Sequence, residues 1–520
     1  MPGKHSVPVR GLMGTKRSPT FEGRFGRMFR ALRPAFDPDD DSLQGIFSKL
    51  GDAMSAGFDK PKDGPDDEES GIPALYTYLG QFIDHDITFD PSSSLQQAND
   101  PDALTDFRTP AFDLDNVYGR GPDDQPYMYD GPQRGDSFLP GNPIKGAGDP
   151  NAVDLARSPN GRALIGDPRN DENAIVSQLQ GLFLRFHNRF RAQNADLSFA
   201  DVQQQVRFHY QFVVLNDFLS QVVDEGVLDG LRTNGRFDRK KIQSYKPKNS
   251  PFLPVEFSVA AYRLGHSMIR PGYRLNDNVL LPIFPVRSQG FNEGLTGFRP
   301  MNPQWAIDWP RFIDIETRPY GVKLDDNGKT PEGKDPSPQQ LSDNQQRLQL
   351  AYRIDTSLVN PLHDLPPEIA ANPSSLATRN LLRAWRLGLP SGQDVAEAMN
   401  VGHVLDDSEI VLGKATDDAD PDATTIDKVA DGAFRGKCPL WTYILAEAAL
   451  HKTAVKIAVS GDQTLSTPKL GPVGGRIVAE VFLGMMFGDP HSMLSLNPDW
   501  TPKSGANFKL KDFVAFALGK

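Results

Sequence analysis

The stretch YTYLGQFIDHDITFD, residues 76–90, sets Gln81 and His85 four positions apart with Asp84 between them. On an α-helix that spacing turns an amide, a carboxylate and an imidazole toward one space, where an imidazole can carry a proton or hold a metal. Asp86 is rotated away from that face and would serve something else. Leu79, Phe82 and Ile83 around them are residues that fold inward, so the polar set needs partners inside the protein. One histidine on such a helix is commonly a core or surface residue with no chemistry, and the rest of the chain has to decide.

The 520 residues are 38% hydrophobic and 24% charged, with a net charge of -11. That is a globular composition with length for a large core, and by length alone for two to four domains. The acid excess argues against nonspecific attraction to nucleic acid or an anionic membrane. The chain lacks both a run of about 18 apolar residues and the apolar centre of a secretory signal. The expectation is a protein without a membrane span, cytoplasmic or exported without a recognisable signal peptide. Cys438 is the single cysteine, which excludes an intramolecular disulfide framework and any Cys-rich zinc or iron–sulfur centre. Residues 1–35 are rich in Arg and Lys with Glu22 their one acid, after which DPDDD reverses the charge. They read as part of a partly flexible N-terminal arm, 1–65, ahead of one domain over 66–520.

Pro, Gly, Asp and Asn crowd residues 58–73, 90–170, 272–302 and 320–345, and long connections are expected there. Between them, SQLQGLFLRFHNRFRAQ repeats apolar residues at Leu179, Leu182, Phe183, Phe186 and Phe190, a helical stripe. ADVQQQVRFHYQFVVLNDFLSQVV and KCPLWTYILAEAALHKTAV are read as helices too. Strand-like alternation is sparse. The predicted fold is mainly α, a helical core under long ordered loops with little β, and long ordered loops in a compact protein usually carry function.

GQFIDHDITF resembles the distal-histidine motif of the animal haem peroxidase family, the myeloperoxidase-like peroxidases and their bacterial relatives. Four further segments follow in that family's order: TPAFDLDNVYG (109–119) resembles its calcium loop, GDPRNDE (166–172) its catalytic arginine segment, YRLGHSMI (262–269) its proximal-histidine helix, and RNLLRAWRLGLP (379–390) the segment supporting that histidine. The resemblance spans about residues 71–390 and implies the helical haem peroxidase fold. It implies haem b as cofactor, with His266 as the proximal iron ligand, Asn380 bonded to its other ring nitrogen, and Arg383 paired with a haem propionate. On the distal side it implies that His85 moves a proton between the oxygens of hydrogen peroxide, Arg169 stabilises developing negative charge, and Gln81 bonds distal water or a small anion. Asp84 and Glu172 match the carboxylates that form esters to haem. Asp86, Thr109, Ala111, Asp113 and Asp115 match the calcium ligands, an oxygen-only shell.

The implied activity is reduction of hydrogen peroxide through a ferryl intermediate, with oxidation of halide, thiocyanate or small aromatic donors. Where the myeloperoxidase pattern places a methionine linked to haem, this chain has Asn173, so iodide, bromide or thiocyanate is expected ahead of chloride. Two other readings stand beside it. One is a haem-dependent fatty-acid dioxygenase, whose radical tyrosine would lie three residues before the proximal histidine; Arg263 occupies that position, and Tyr262 is expected to point elsewhere. The other is a non-enzymatic haem- or calcium-binding scaffold, disfavoured because holding haem does not require both His85 and Arg169.

Overall fold

The structure is a computed structural model that describes residues 25–88, 110–130, 136–146, 148–248, 250–325, 327–367, 369–370, 372–417, 420–461 and 463–520. The elements that position the site are helices α1 (Gln44–Ala53), α2 (Leu75–Ile87), α3 (Ala174–Gln193), α4 (Phe199–Val213), α5 (Leu376–Arg386), α6 (Leu440–Leu450), α7 (Gly474–Gly488) and α8 (Leu510–Leu518). Strands are short and paired in twos, and one continuous hydrophobic core runs from Phe25 to Ala517. The mainly helical expectation holds. Among the described residues no helix is long and apolar enough to cross a membrane.

The apolar stripe read in α3 explains how the core is assembled. Phe82 of α2 stacks on Phe183 with ring centroids 4.2 Å apart, Phe183 lies 4.6 Å from Phe513 of α8, and Phe513 stacks on Phe186 at 4.0 Å, the rings within 3° of parallel. Three helices thus share one ladder of rings, each contact adding to ordinary burial. The second predicted helix ends its α-turns at Val213, continues through a π-turn over Val214–Phe218 and resumes over Leu219–Val222. That widened turn places Asp217 where it accepts the Tyr76 hydroxyl at 2.6 Å and the Leu510 amide at 2.8 Å. A carboxylate buried between α2 and α8 therefore joins them.

Two expectations are corrected. KCPLWTYILAEAALHKTAV is helical only to Leu450; Lys452–Ile457 is a strand paired antiparallel with Gln463–Pro468. Thr453, Val455 and Ile457 recur with period two there, and β-branched residues on a half-exposed surface favour a strand. The expected proximal helix is a 3-10 turn, Ala261–His266, set off from the helix Val255–Ser258 by the non-helical backbone of Ala260.

Residues 25–54, read above as part of the arm, contribute Phe25, Phe36, Phe47, Leu50 and Met54 to the core. Strand β1 (Phe25–Gly26) runs parallel to β2 (Leu253–Pro254), and the Met28 and Phe29 amides donate to the buried Glu256 carboxylate at 3.1 and 3.2 Å. The Trp385 indole donates to the Asp37 carbonyl at 2.7 Å. Gly51 lets α1 approach α5, since a Cβ there would lie 2.8 Å from the Thr378 backbone nitrogen. The segment wraps the helix that carries Asn380 and Arg383.

On the outer side of α3, His187 is buried against Tyr118, Phe138 and Phe199. Nε2 donates to the Asp136 carbonyl and Nδ1 accepts from the Tyr118 hydroxyl, each at 2.9 Å. Burial of this neutral ring pulls its pKa down to about 4. The unfolded chain takes up that proton near pH 6.5 and the folded chain does not, so the stabilisation is complete above about 6.5 and is lost as pH falls toward about 4. Urea unfolding of wild type and His187→Gln across this window should differ in pH slope, with wild type losing on the order of 3 kcal/mol that the variant does not lose. Parallel slopes would refute the assignment.

Candidate functional site

A cavity of about 340 Å³ lies between α2 and the 3-10 turn, lined by Gln81, Asp84, His85, Arg169, Glu172, Tyr262, Arg263, His266 and Arg383, with Phe25 of the N-terminal segment at its wall. That volume is in the range of ligand pockets, roughly 300–1,000 Å³. The structure therefore brings together seven of the residues expected at the site, Gln81, Asp84, His85, Arg169, Glu172, His266 and Arg383, and Asn380 stands directly behind His266.

Each histidine is held by a carboxamide. Nδ1 of His85 lies 2.7 Å from Oδ1 of Asn170, whose Nδ2 donates to Oε1 of the buried Gln180 at 2.8 Å. That contact fixes the proton on Nδ1 and leaves Nε2 as the basic nitrogen, 3.5 Å from a Glu172 oxygen. Nδ1 of His266 lies 2.8 Å from Nδ2 of Asn380. A half-turn of that carboxamide presents its oxygen instead, which is the arrangement an imidazole ligating through Nε2 requires. Burial, reinforced by the neighbouring Arg263, pulls the His266 pKa down to about 3, so the ring is neutral and keeps a lone pair for a metal.

Arg169 enters from the short 3-10 turn Pro168–Asp171, whose N-cap is Asp167. The fully buried Asp167 carboxylate accepts from the Arg169 backbone at 2.8 Å and from Nη2 at 2.9 Å, while Nη2 also donates to the carbonyls of His85, at 3.1 Å, and Thr88. The guanidinium is thereby tethered to the end of α2. Gln81 donates to Glu172 and its carbonyl oxygen accepts from Asn173 at 3.2 Å. Asn173 is also the N-cap of α3, accepting from the Ile175 and Val176 amides. One residue both starts the helix and orients Gln81. Burial pushes the Glu172 carboxyl above the ordinary carboxylate range, opposed by His85 and Arg169.

Asp86 faces the other way, fully buried, and groups with Asp113 and Asp115 so that one carboxylate oxygen from each lies within 4.8 Å of the others. Leu114 between Asp113 and Asp115 adopts φ +56°, a left-handed conformation disfavoured for a bulky residue, and this turns two acids two positions apart toward one point. Ala111 is buried in the same loop, and Thr109 lies outside the described residues. Three clustered carboxylates in a protein interior are a donor set for a hard divalent cation. The loop also reaches the arginine segment: the Asp167 amide donates to the Asn116 carbonyl at 3.1 Å and the Asn116 side chain donates to the Phe82 carbonyl at 3.2 Å.

Sequence reading missed Asp167, Asn170 and Gln180. The first two sit in or beside the quoted arginine segment, where short polar residues read as turn formers; Gln180 lies on a helix face with nothing in its spacing to mark it. Tyr262 was expected to point elsewhere, yet it lines the cavity, stacks on Phe257 at 4.7 Å and donates its hydroxyl to the Gly80 carbonyl at 3.2 Å.

Residues 107–294 match the Animal haem peroxidase family, a span that includes Arg169, Glu172 and His266 and excludes α2 and α5. A dual oxidase of Drosophila melanogaster is 32% identical over 124 residues, 23% of this chain, and a thyroid peroxidase of Sus scrofa is 34% identical over 122 residues, 22% of this chain. The matched stretches span 8% and 12% of those proteins' own lengths. Among solved structures, peroxidase A from Dictyostelium discoideum aligns with TM-score 0.55 at 14% identity, covering 95% of this chain and 93% of that one. A fatty acid alpha-dioxygenase of Arabidopsis thaliana aligns with TM-score 0.53 at 15% identity, covering 96% and 76%. These two alignments establish a shared fold.

Gly166 makes the junction of acid loop and arginine segment possible, because a Cβ there would collide with the Asp115 carbonyl and stand 2.6 Å from that of Asn116. Gly166→Ala should cost about 1–3 kcal/mol. Gly181→Ala, in the interior of α3 with nothing within 4 Å of the added carbon, should gain up to about 1 kcal/mol. Equal denaturation midpoints for the two variants would show that the junction tolerates a shift.

Proposed function

With residues 107–294 matching the Animal haem peroxidase family, we propose that this chain is a haem peroxidase that reduces hydrogen peroxide and oxidises small donors. The observation that carries the reading is the pair of carboxamide-held histidines, His85 and His266, facing one cavity together with Arg169. A neutral imidazole with one nitrogen fixed suits an iron ligand, and Arg263 and Arg383 on the same cavity suit the two carboxylates of haem. His266 would hold the iron, and Asp84 and Glu172 would hold the macrocycle, through esters if these form. Haem when bound supplies the iron at which peroxide is split.

The protein's own groups account for the proton and the charge. Nε2 of His85 takes the proton from the near oxygen of peroxide and delivers it to the departing one, base and then acid. Asn170 keeps Nδ1 protonated throughout, so the ring does not need to change tautomer. The Arg169 guanidinium, fixed by Asp167, offers positive charge at a set position rather than after reorganisation. Gln81 bonds distal water or a small anion. Asn173 in place of a haem-linked methionine favours iodide, bromide or thiocyanate over chloride, and phenols are the other donor class. His85→Ala should retain haem while its reaction with peroxide in stopped flow slows by about 10²–10⁴, whereas His266→Ala should fail to retain haem on gel filtration. A His85→Ala protein that reacts at the wild-type rate would sink the proton-transfer role.

Asp86, Asp113 and Asp115 would hold calcium, with Thr109 and the Ala111 carbonyl completing the shell. The ion would neutralise three acids and fix the end of α2, hence His85. Chelator treatment should lower the melting temperature of wild type and leave Asp86→Asn unchanged; chelation without effect on either would remove calcium from the account.

Fatty-acid dioxygenation is a second reading, favoured by one observation: Tyr262 lines the cavity. Its hydroxyl is engaged with Gly80 and Arg263 stands next to it, so the peroxidase reading is preferred. Oxygen uptake with an unsaturated fatty acid that Tyr262→Phe abolishes would reverse the preference.

A further inference from the structure

Away from the haem cavity, α3, α4, α8 and the segment 500–508 enclose a second cavity of about 410 Å³ walled by Phe186, Phe190, His209, Trp500, Phe508 and Phe516. Four rings surround the imidazole: Trp500 at 4.9 Å and Phe508 at 5.4 Å, both edge-to-face, with Phe186 at 5.3 Å and Phe190 at 5.7 Å. The walls are braced from behind, because Phe186 belongs to the stack that runs through Phe513 to Phe183 and Phe82. A cavity whose lining is locked into the core does not close on itself.

The imidazole differs from that of His187 in one respect. His209 is 8% exposed and its Nδ1 donates to the Gln205 carbonyl at 2.7 Å, but Nε2 has no hydrogen-bond partner among the described residues. With the proton on Nδ1, Nε2 is an acceptor, and burial holds the pKa down to about 4 so that it stays one at neutral pH. An acceptor lone pair on a ring that is itself surrounded by aromatic faces matches a planar apolar ring bearing one O–H.

We propose that this cavity binds a neutral phenol, its ring held against Trp500 and Phe508 and its hydroxyl donating to Nε2 of His209. The hydroxyl has to keep its proton for this contact, since Nε2 of His209 is an acceptor with no proton to offer a phenolate; Lys503, Thr501, Ser504, Gln193 and Asn194 line the rest of the cavity. The proposal does not depend on the peroxidase reading, because none of these residues lines the haem cavity.

The test is a ¹⁹F NMR titration of the full chain with 4-fluorophenol and with 4-fluoroanisole, which has the same ring and no O–H. Wild type should bind the phenol roughly three- to tenfold more tightly, the range expected for one net hydrogen bond. His209→Phe should abolish that preference with an unchanged far-ultraviolet circular dichroism spectrum, and Trp500→Leu at the half-exposed rim should weaken both probes. Equal binding of the two probes to wild type would overturn the proposal. So would a preference that survives in His209→Phe, which would place the phenol elsewhere. If His209→Phe does not fold, a through-space contact between the bound 4-fluorophenol fluorine and the Trp500 ring protons in wild type places the probe in this cavity, and its absence overturns the proposal.

Discussion

An imidazole has two nitrogens and one proton at neutral pH, and it performs one task reliably only when a neighbour decides where that proton sits. The cavity between α2 and the 3-10 turn depends on this constraint at both walls. Asn170 holds Nδ1 of His85, and Asn380 stands at Nδ1 of His266. A carboxamide suits both places because it is uncharged: a carboxylate would stabilise the protonated ring, whereas an amide fixes orientation without favouring charge. Burial does the rest for His266, whose pKa of about 3 keeps it unprotonated.

The amides need fixed positions in turn, and the fold provides them by making helix ends converge. Asn173 caps α3 and bonds Gln81; Asp167 caps the turn that carries Arg169 and binds its guanidinium; Asn116 bonds the backbone of α2 beneath Phe82. Asp86 occupies the face of α2 opposite the cavity and joins the acid loop. Helix α2 is thus clamped between a polar junction on one side and the ring ladder on the other. A displacement of the acid loop would reach His85 through one hydrogen bond, from Asn116 to the Phe82 carbonyl, and about one helix turn.

Much of this was legible in the sequence where spacing carries geometry. Gln81, Asp84 and His85 at i, i+3 and i+4 line one cavity, and Asp86 turns to the acid loop, as helical pitch requires. The stripe from Leu179 to Phe190 is the buried face of α3. Illegible were the features set by tertiary contact. Whether HKTAV extends a helix or pairs as a strand depends on Gln463–Pro468 lying alongside. The placement of Tyr262 is set by its stack on Phe257 and its bond to the Gly80 carbonyl, contacts between segments far apart or separated by the break at Ala260. The basic composition of the N-terminal segment hid the fact that Phe25, Phe36 and Phe47 are core residues. Gln180 acquires its role only through Asn170, ten residues earlier.

His187 and His209 show how far burial alone goes as evidence. Both are on the α3–α4 pair, both are enclosed by aromatic rings, and both have their pKa drawn down to about 4 by the same loss of hydration. Yet His187 has each nitrogen engaged, by Tyr118 and by Asp136, and its environment is complete. His209 has one nitrogen engaged and the other turned to a cavity. A depressed pKa says only that a ring is neutral. What the ring can bind follows from the count of its donors and acceptors against the partners around it, and by that count the two histidines have opposite meanings.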